Sequence, residues 1–182
     1  MAERHTCEQH REMGTLEGER PPQLAPFGEG IDLFWEDFDV GQVFHLGSHQ
    51  ISAEEILEFR RRFDPQPFHV DPDNAGRTVF PGLIASGWHS CSIWMRLFVD
   101  AVLSHAASLG SPGIDQVAWL QPVRPGDVLS GSVEVISTRP SHGRPDRGLV
   151  QVRSELVDQA GAVKMRLTAW ELLGRRPTAG GS

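Results

Sequence analysis

The stretch from Leu83 to Leu103 constrains the fold more than any other part of the chain, because its apolar side chains surround most of a helical circumference. Those side chains are Leu83, Ile84, Trp88, Ile93, Trp94, Met95, Leu97, Phe98, Val99, Val102 and Leu103. A helix that is apolar on nearly every side must be covered on nearly every side. Gly87, His89, Arg96 and Asp100 interrupt the stretch, and such residues are costly or awkward in lipid. The segment therefore predicts a buried helix of a soluble protein, most simply one wrapped by a curved sheet.

The second half of the chain supplies strands for such a sheet. Residues 113–120 and 128–138 are strand-like and are separated by the turn sequence Arg-Pro-Gly-Asp. Further on, polar and apolar side chains alternate over residues 150–157 and again over residues 163–170, on either side of a Gln-Ala-Gly turn. This alternation is typical of an antiparallel hairpin. The pattern predicts an α+β protein with a long antiparallel sheet.

The first half begins with one strand and one short helix. Residues 42–47 have the composition of a strand. Ser52 and Glu55 then match a capping box, in which a hydroxyl and a carboxylate three residues apart bind each other's backbone N–H groups. The helix that follows is predicted to end before Pro65. We expect the Arg60–Arg62 run on this helix to form a charged solvent face.

The folded domain is predicted to span residues 31–174. Residues 1–30 are rich in Glu, Arg, Gly and Pro and have almost no apolar periodicity, so they cannot bury enough surface to offset the entropy lost on ordering. We expect a disordered N-terminal tail there and a short, frayed C-terminal tail at residues 175–182. A chain of 182 residues suits one domain, which predicts one site rather than a modular protein.

Charge and cysteine content exclude several classes of protein. The formal net charge of −7 argues against binding to nucleic acid or anionic lipid, because both require clustered Lys and Arg. Cys7 and Cys91 have no spacing typical of a disulfide framework or a zinc site. The first residues contain no apolar block that could serve as the core of a signal peptide. We therefore expect a cytoplasmic protein that acts on a small molecule or on another protein.

A proline-rich stretch between the two predicted helices carries the candidate chemistry. In Phe-Asp-Pro-Gln-Pro-Phe-His, residues 63–69, the carboxylate of Asp64 and the imidazole of His69 are five residues apart and are separated by two prolines. A stiff, bent loop could turn both toward one pocket, where they would transfer protons as acid and base. On spacing alone the pattern is weak. Asp64 could instead end the preceding helix, and His69 could be an ordinary loop residue.

Residues 63–71, followed by Phe-Pro-Gly-Leu-Ile-Ala-Ser-Gly-Trp at residues 80–88, resemble the signature region of the MaoC-like dehydratases, relatives of the R-specific enoyl-CoA hydratases. The resemblance covers roughly residues 35–173. It implies a hot-dog fold, in which a long antiparallel sheet curves around a central hydrophobic helix. It also implies a hydro-lyase of fatty acid metabolism that adds water to, or removes it from, the 2,3 double bond of an enoyl-CoA thioester, with no cofactor.

By this resemblance, Asp64 and His69 are the catalytic pair that holds and activates the water, and the backbone N–H of Gly87 is the oxyanion donor. Gln66 and Ser86 are further candidates for substrate binding. The sequence departs from the family at these last two positions, because Gln66 stands where the family has Asn and Ser86 where it has His. Gln offers the same amide on a longer arm, so we interpret the first change as a shift of substrate or pocket shape. The second change leaves a hydroxyl to which we assign no catalytic role.

Two other functions remain open. Hot-dog thioesterases tend to carry a carboxylate on the central helix, and here the acid on that helix is Asp100, near its far end. A catalytically silent hot-dog protein that binds acyl thioesters is favoured where Asp64 or His69 is missing, and both are present. A metal held by His69, Asp71 and Asp73 is not favoured, because no further ligand follows at a suitable spacing.

The resemblance has three further consequences. One hot-dog sheet leaves an open edge and a concave site that a second copy closes in this family, so we expect a homodimer with the acyl tunnel near its interface. Phosphates of coenzyme A are an alternative role for the Arg60–Arg62 run. Trp88 and Trp94, on the long apolar segment, are predicted to be core residues.

Overall fold

The structure is a computed structural model that describes residues 30–66 and 82–177. Its five strands are β1 (Val43–Gln50), β2 (Gly113–Trp119), β3 (Val128–Pro140), β4 (Arg147–Val157) and β5 (Val163–Gly174). Its two α-helices are α1 (Ala53–Phe63) and α2 (Gly87–Ala101), and short 3-10 turns lie at Trp35–Asp37 and Leu103–His105. The strands form one antiparallel sheet in the order β1-β3-β4-β5-β2. The two edge strands are therefore β1 and β2.

The core lies between the inner face of this sheet and one side of α2. The helix contributes Ile93, Trp94, Leu97 and Phe98. The sheet contributes Leu129, Val133, Val135, Val150, Val152, Leu156, Met165, Leu167, Ala169 and Leu173. Side chains alternate between buried and partly exposed along β3 and β4, as the period of a strand requires. The predicted hot-dog fold is confirmed.

The central helix is shorter and more one-sided than the sequence predicted. It begins at Gly87, because Ile84 and Ala85 belong to an extended segment in which the Ala85 N–H donates to the Val123 carbonyl at 2.8 Å. Trp94 is a core residue, as expected. The prediction that Trp88 is a core residue is wrong, since this side chain is 58% exposed. One face of α2 is therefore covered by the sheet, and another is apolar but open.

Helix α1 begins with the predicted capping box. The Glu55 N–H donates to the Ser52 hydroxyl at 3.1 Å, and the Ser52 N–H donates to the Glu55 carboxylate at 2.7 Å. The helix ends at Phe63, before the proline, as expected. The expectation of a solvent face is wrong for Arg60, which is 1% exposed. Arg60 lies one turn after the fully buried Ile56 and so shares its inward face.

The two ends of the described chain meet at one corner. The proposed N-terminal tail lies outside the described residues, apart from residue 30. The expected C-terminal tail is held at its start, because Arg175 donates to Glu36 at 2.7 Å and Arg176 to both carboxylate oxygens of Asp37 at 2.7 Å. Within the described parts of the chain, no helix combines the length and apolar character that crossing a membrane requires.

Candidate active site

A cavity of about 330 Å³ lies between the end of α1, the start of α2 and the segment that follows β2. Its lining residues are Asp64, Gln66, Ile84, Ala85, Ser86, Gly87, Trp88, Ser90, Trp119, Leu120, Gln121, Pro122 and Val123. Most of these side chains are apolar, and the polar ones come from the ends of the two helices and, for Gln121, from the segment after β2. This is the usual composition of a small-molecule site, in which a few polar groups orient an otherwise apolar ligand.

Asp64 is the residue that ends α1, and its N–H donates to the Arg60 carbonyl at 3.0 Å. Gln66 lies two residues on, and its side-chain Nε2 donates to Oδ1 of Asp64 at 2.6 Å. The Gln66 backbone N–H also donates to the Asp64 carbonyl at 2.9 Å. The amide of Gln66 therefore orients the carboxylate of Asp64 through one of its two oxygens.

A buried cation lies close to this carboxylate. Burial lowers the pKa of Arg60, and the negative charge of Asp64 acts in the opposite direction. The Arg60 Nε and one terminal nitrogen have no hydrogen-bond partner in the described part of the structure. Because Arg keeps its charge in proteins, this end of α1 combines a carboxylate with a positive charge.

The start of α2 faces the cavity without a side-chain cap. Ser86 is the N-cap residue, but its hydroxyl accepts no bond from the helix. That hydroxyl is buried and has no partner among the described residues. The first N–H groups of a helix have no partner within the helix, and the helix dipole places partial positive charge there. The N–H of Gly87 is therefore suited to bind an oxygen that carries negative charge.

Trp119, the last residue of β2, packs directly on Gly87. A Cβ at residue 87 would lie 2.6 Å from Cδ2 and 2.7 Å from Nε1 of the indole, so a larger residue would require Trp119 to move. The indole N–H donates to the Gly87 carbonyl at 2.9 Å. Trp88 meets the same indole edge-on, with 5.5 Å between ring centroids and 73° between planes. The two tryptophans form an aromatic wall beside the first turn of α2.

His89, the titratable residue on the first turn of α2, does not line this cavity. His89 is buried and its ring stacks on Phe59 of α1, with centroids 4.5 Å apart and planes 2° apart. Burial lowers the pKa of His89; the Glu55 carboxylate raises it and the His49 imidazole lowers it again. His49 Nε2 lies 3.1 Å from the Glu55 carboxylate. His89 thus packs between α1 and α2, outside the lining of this cavity.

Four of the five candidate residues line one cavity, namely Asp64, Gln66, Ser86 and Gly87. The fifth, His69, lies outside the described residues, as do the discounted metal ligands. Sequence reasoning missed the part that Trp119 plays in the wall. The available signal was the Trp at the end of a predicted strand, directly before a proline-containing turn.

The chain is similar to several known proteins. Residues 38–158 match the family described as MaoC like domain. The protein YdeM of Bacillus subtilis, described as uncharacterized, is 32% identical over 117 residues, which is 64% of this chain and 82% of YdeM. The crystal structure of a MaoC-like dehydratase from Rhodospirillum rubrum is 39% identical, with a TM-score of 0.71 over 81% of this chain and 100% of that one.

A solved structure with a named activity is also similar. The (R)-hydratase of A. caviae, described as involved in PHA biosynthesis, is 26% identical to this chain. Its TM-score is 0.58, over 78% of this chain and 99% of that one. The match to the family covers most of the folded domain and includes the cavity residues from both helices. The chain belongs to the MaoC-like dehydratase family.

Proposed function

We propose that the protein is a hydro-lyase that adds water to, or removes it from, the 2,3 double bond of an enoyl-CoA thioester. One observation carries the proposal: the carboxylate residue Asp64 and the uncapped start of α2 at Gly87 line the same cavity. A carboxylate accepts a proton from water, and helix N–H groups bind an oxygen on which negative charge develops. Hydration of an activated double bond requires both groups.

In the hydration direction, the thioester oxygen accepts a hydrogen bond from the Gly87 N–H, while Asp64 and His69 hold a water beside C3. One of these two side chains takes a proton from the water as the water oxygen bonds to C3. The electron pair of the double bond moves onto the thioester, which becomes an enolate. The same side chain then returns that proton to C2, which restores the carbonyl and yields the 3-hydroxyacyl thioester. His69 enters this scheme through the family resemblance. Gln66 fixes the orientation of the Asp64 carboxylate.

The similarity to the A. caviae (R)-hydratase supports this reaction, because that protein has a named hydratase activity at 26% identity. The principal alternative was thioester cleavage by an acid on the central helix. Asp100 is exposed near the far end of α2 and pairs with Arg96 at 2.7 Å, outside the cavity. Its position does not favour cleavage of a thioester bound at Gly87. A role in fatty acid metabolism and a cytoplasmic location remain predictions.

We also propose that the protein works as a homodimer. Trp88, Met95 and Val99 share an exposed face of α2, at positions seven and eleven residues apart on the helix. Ile114 and Leu120 are exposed in and just after β2, a strand that pairs with β5 alone in the described sheet. A second copy would cover this apolar surface and pair with the free edge of β2. Light scattering at micromolar concentration should give twice the chain mass, and a monomer would contradict this assembly.

The catalytic proposal is tested by following loss of the conjugated enoyl-thioester absorbance over a panel of enoyl-CoA esters. We expect Asp64→Asn and His69→Ala each to lower the rate for the preferred ester by at least about a hundredfold, the usual scale for a positioned acid or base. Asp100→Asn is the matched control, because this acid is exposed and away from the cavity. It should keep the wild-type rate. Folded Asp64→Asn and His69→Ala proteins with wild-type rates would exclude the mechanism.

A further inference from the structure

We propose that Trp119 is the specificity-determining residue that limits the length of the acyl group admitted beside the thioester, a proposal that rests on the proposed function. Trp119 touches Gly87, the residue whose N–H is assigned to the thioester oxygen, and it also lines the cavity. A side chain in this position lies beside one of the two groups that extend from a thioester carbonyl bound at Gly87, and the proposal takes that group to be the acyl chain.

The indole occupies the space that a side chain would take at residue 87. A Cβ placed there would overlap the six-membered and five-membered parts of the ring system. The hydrogen bond from Trp119 Nε1 to the Gly87 carbonyl, at 2.9 Å, holds the ring in this orientation. Both contacts fix one wall of the cavity at a set distance from the start of α2.

The wall consists of two aromatic side chains that contact each other. Trp88 meets the indole of Trp119 edge-on at a centroid separation of 5.5 Å, an arrangement favoured for aromatic pairs. The lining also includes the apolar residues Ile84, Pro122 and Val123. A volume of about 330 Å³ is at the small end of the range for ligand cavities, which is roughly 300–1,000 Å³. The indole therefore forms part of the boundary of an apolar cavity, and its removal would leave more room there for an acyl group.

A second tryptophan in this chain provides a matched control. Trp35 also packs on a glycine, Gly148, and its indole N–H donates to the Leu149 carbonyl at 3.3 Å. Trp35 is at the corner where the chain ends meet and does not line the cavity. Replacing Trp35 removes the same kind of indole-on-glycine contact without changing the proposed acyl wall.

The test measures binding of saturated acyl-CoA thioesters, which lack the double bond and do not react. Calorimetry with butanoyl-, hexanoyl- and octanoyl-CoA gives the dissociation constants for wild type and for Trp119→Phe, Trp119→Leu and Trp119→Ala. We expect wild type to bind butanoyl-CoA more tightly than octanoyl-CoA. One methylene group changes recognition in an apolar pocket by about 10- to 200-fold. We therefore expect Trp119→Ala and Trp119→Leu to improve the octanoyl-to-butanoyl ratio at least about tenfold.

Each variant separates one explanation from another. Trp119→Phe keeps an aromatic wall but loses the N–H, so it should retain the wild-type length preference. Trp35→Leu should retain it too. If Trp119→Ala does not fold, Trp119→Leu replaces it in the binding test. A thermal unfolding curve shows which variants are folded. An unchanged ratio in a folded Trp119→Ala or Trp119→Leu protein would overturn the proposal, as would an equal change in Trp35→Leu.

The same series separates failure of this inference from failure of the proposed reaction. Wild type that binds acyl-CoA with the expected length preference but hydrates no enoyl-CoA would contradict the reaction and leave the role of Trp119 intact. Hydration with no length preference, or with preference for the longest chain, would overturn the role of Trp119 and leave the reaction intact. Wild type that binds no acyl-CoA at all would overturn both.

Discussion

The two α-helices in residues 30–66 and 82–177 both have a serine at the N-cap, but only the first helix has a side-chain cap. Ser52 and Ser86 are the N-cap residues of α1 and α2, and both have extended backbone angles. At α1, the Ser52 hydroxyl and the Glu55 carboxylate accept bonds from each other's backbone N–H groups. At α2, the Ser86 hydroxyl is buried without a partner in the described structure. A buried hydroxyl without a partner is unusual, and this one borders a cavity.

The third helical position explains part of the difference. In α1 this position is Glu55, which completes the capping box; in α2 it is His89, which stacks on Phe59 instead. The donors at the start of α1 are therefore used to stabilise the fold. The start of α2 has no side-chain cap among the described residues, and we propose that its first N–H binds a ligand. The start of α1 thus serves structure, and the start of α2, by our proposal, serves chemistry through the Gly87 N–H.

The largest effect that would test this contrast is expected from Gly87→Ala. The added Cβ would overlap Trp119, so either the indole or the first turn of α2 must move. Loss of one oxyanion donor typically lowers kcat by about 10²–10³-fold. We expect a loss of at least about a hundredfold in the hydration assay, with Trp119→Ala in the same chain recovering part of it.

Gly143→Ala is the matched control for Gly87→Ala, because a Cβ at residue 143 meets nothing within 4 Å. This variant should hydrate enoyl-CoA at the wild-type rate. A Gly87→Ala protein that is as active as Gly143→Ala would contradict the expectation that the added Cβ displaces the oxyanion donor at the start of α2.

Ser52→Ala should affect stability and leave activity unchanged. Loss of an N-cap side chain costs about 0.5–2 kcal/mol, typically about 1 kcal/mol, and the Ser52 hydroxyl makes such a bond at 3.1 Å. Chemical denaturation should therefore show a free energy of unfolding lower by about 1 kcal/mol. If the stability of this variant matched wild type, the assignment of α1 as the structurally capped helix would be incorrect.

The dependence of stability on pH should reveal the burial of His89, the third residue of α2. Burial lowers the pKa of His89 below its usual 6.5, so the unfolded chain binds this proton more readily than the folded one. Stability from this group is therefore present above the unfolded pKa and is lost as the pH falls below about 6.5. Replacing His89 with Phe should flatten that part of a plot of unfolding free energy against pH.

Glu171 is a second buried group whose titration affects stability, so its contribution must be removed from this measurement. Burial raises the pKa of Glu171 to about 7, and a raised carboxyl pKa makes stability fall as the pH rises from about 4.5 to about 7. Its slope is opposite to that of His89 over much of the same pH range. Comparing Glu171→Gln with the Glu171→Gln, His89→Phe double variant removes the overlap. Identical slopes in the two proteins would show that His89 does not titrate differently in the folded state.

The smallest stability effect is expected from Ser86→Ala. The Ser86 hydroxyl makes no cap bond, so its removal loses none and relieves a buried, unpaired polar group. The free energy of unfolding should stay within about 0.5 kcal/mol of wild type. Binding of butanoyl-CoA should weaken by roughly 2- to 10-fold if the hydroxyl meets the ligand, since one hydrogen bond is worth about 0.5–1.5 kcal/mol. A cost to stability equal to that of Ser52→Ala would remove the contrast between the two helices.

The sequence predicted the architecture well because the fold depends on local signals with a known period. Alternation over residues 150–157 and 163–170 fixed the hairpin of β4 and β5, and Ser52 with Glu55 fixed the start of α1. The hydrophobic run after Leu83 predicted a helix but not its start or its open face. Those depend on which tertiary partners cover Trp88, and a single sequence does not specify them.

The cavity was predictable only in part. Asp64, Gln66, Ser86 and Gly87 came from resemblance to a family motif, and all four line one cavity. Trp119 follows Gly87 by 32 residues and comes from an edge strand. A contact made across that distance leaves no periodic trace in the sequence. The burial of Arg60 was missed for a related reason, since three consecutive arginines suggest a solvated face unless the inward direction of the helix is known.

The central claim is that the uncapped start of α2 binds the oxygen of a thioester. The most direct test is the infrared carbonyl band of butanoyl-CoA, labelled with ¹³C at the thioester carbon, when bound to the wild-type protein. Hydrogen bonds from the start of α2 polarise the carbonyl, so we predict a band at lower frequency than for the free thioester in water. A bound thioester whose carbonyl band is unshifted would contradict the account.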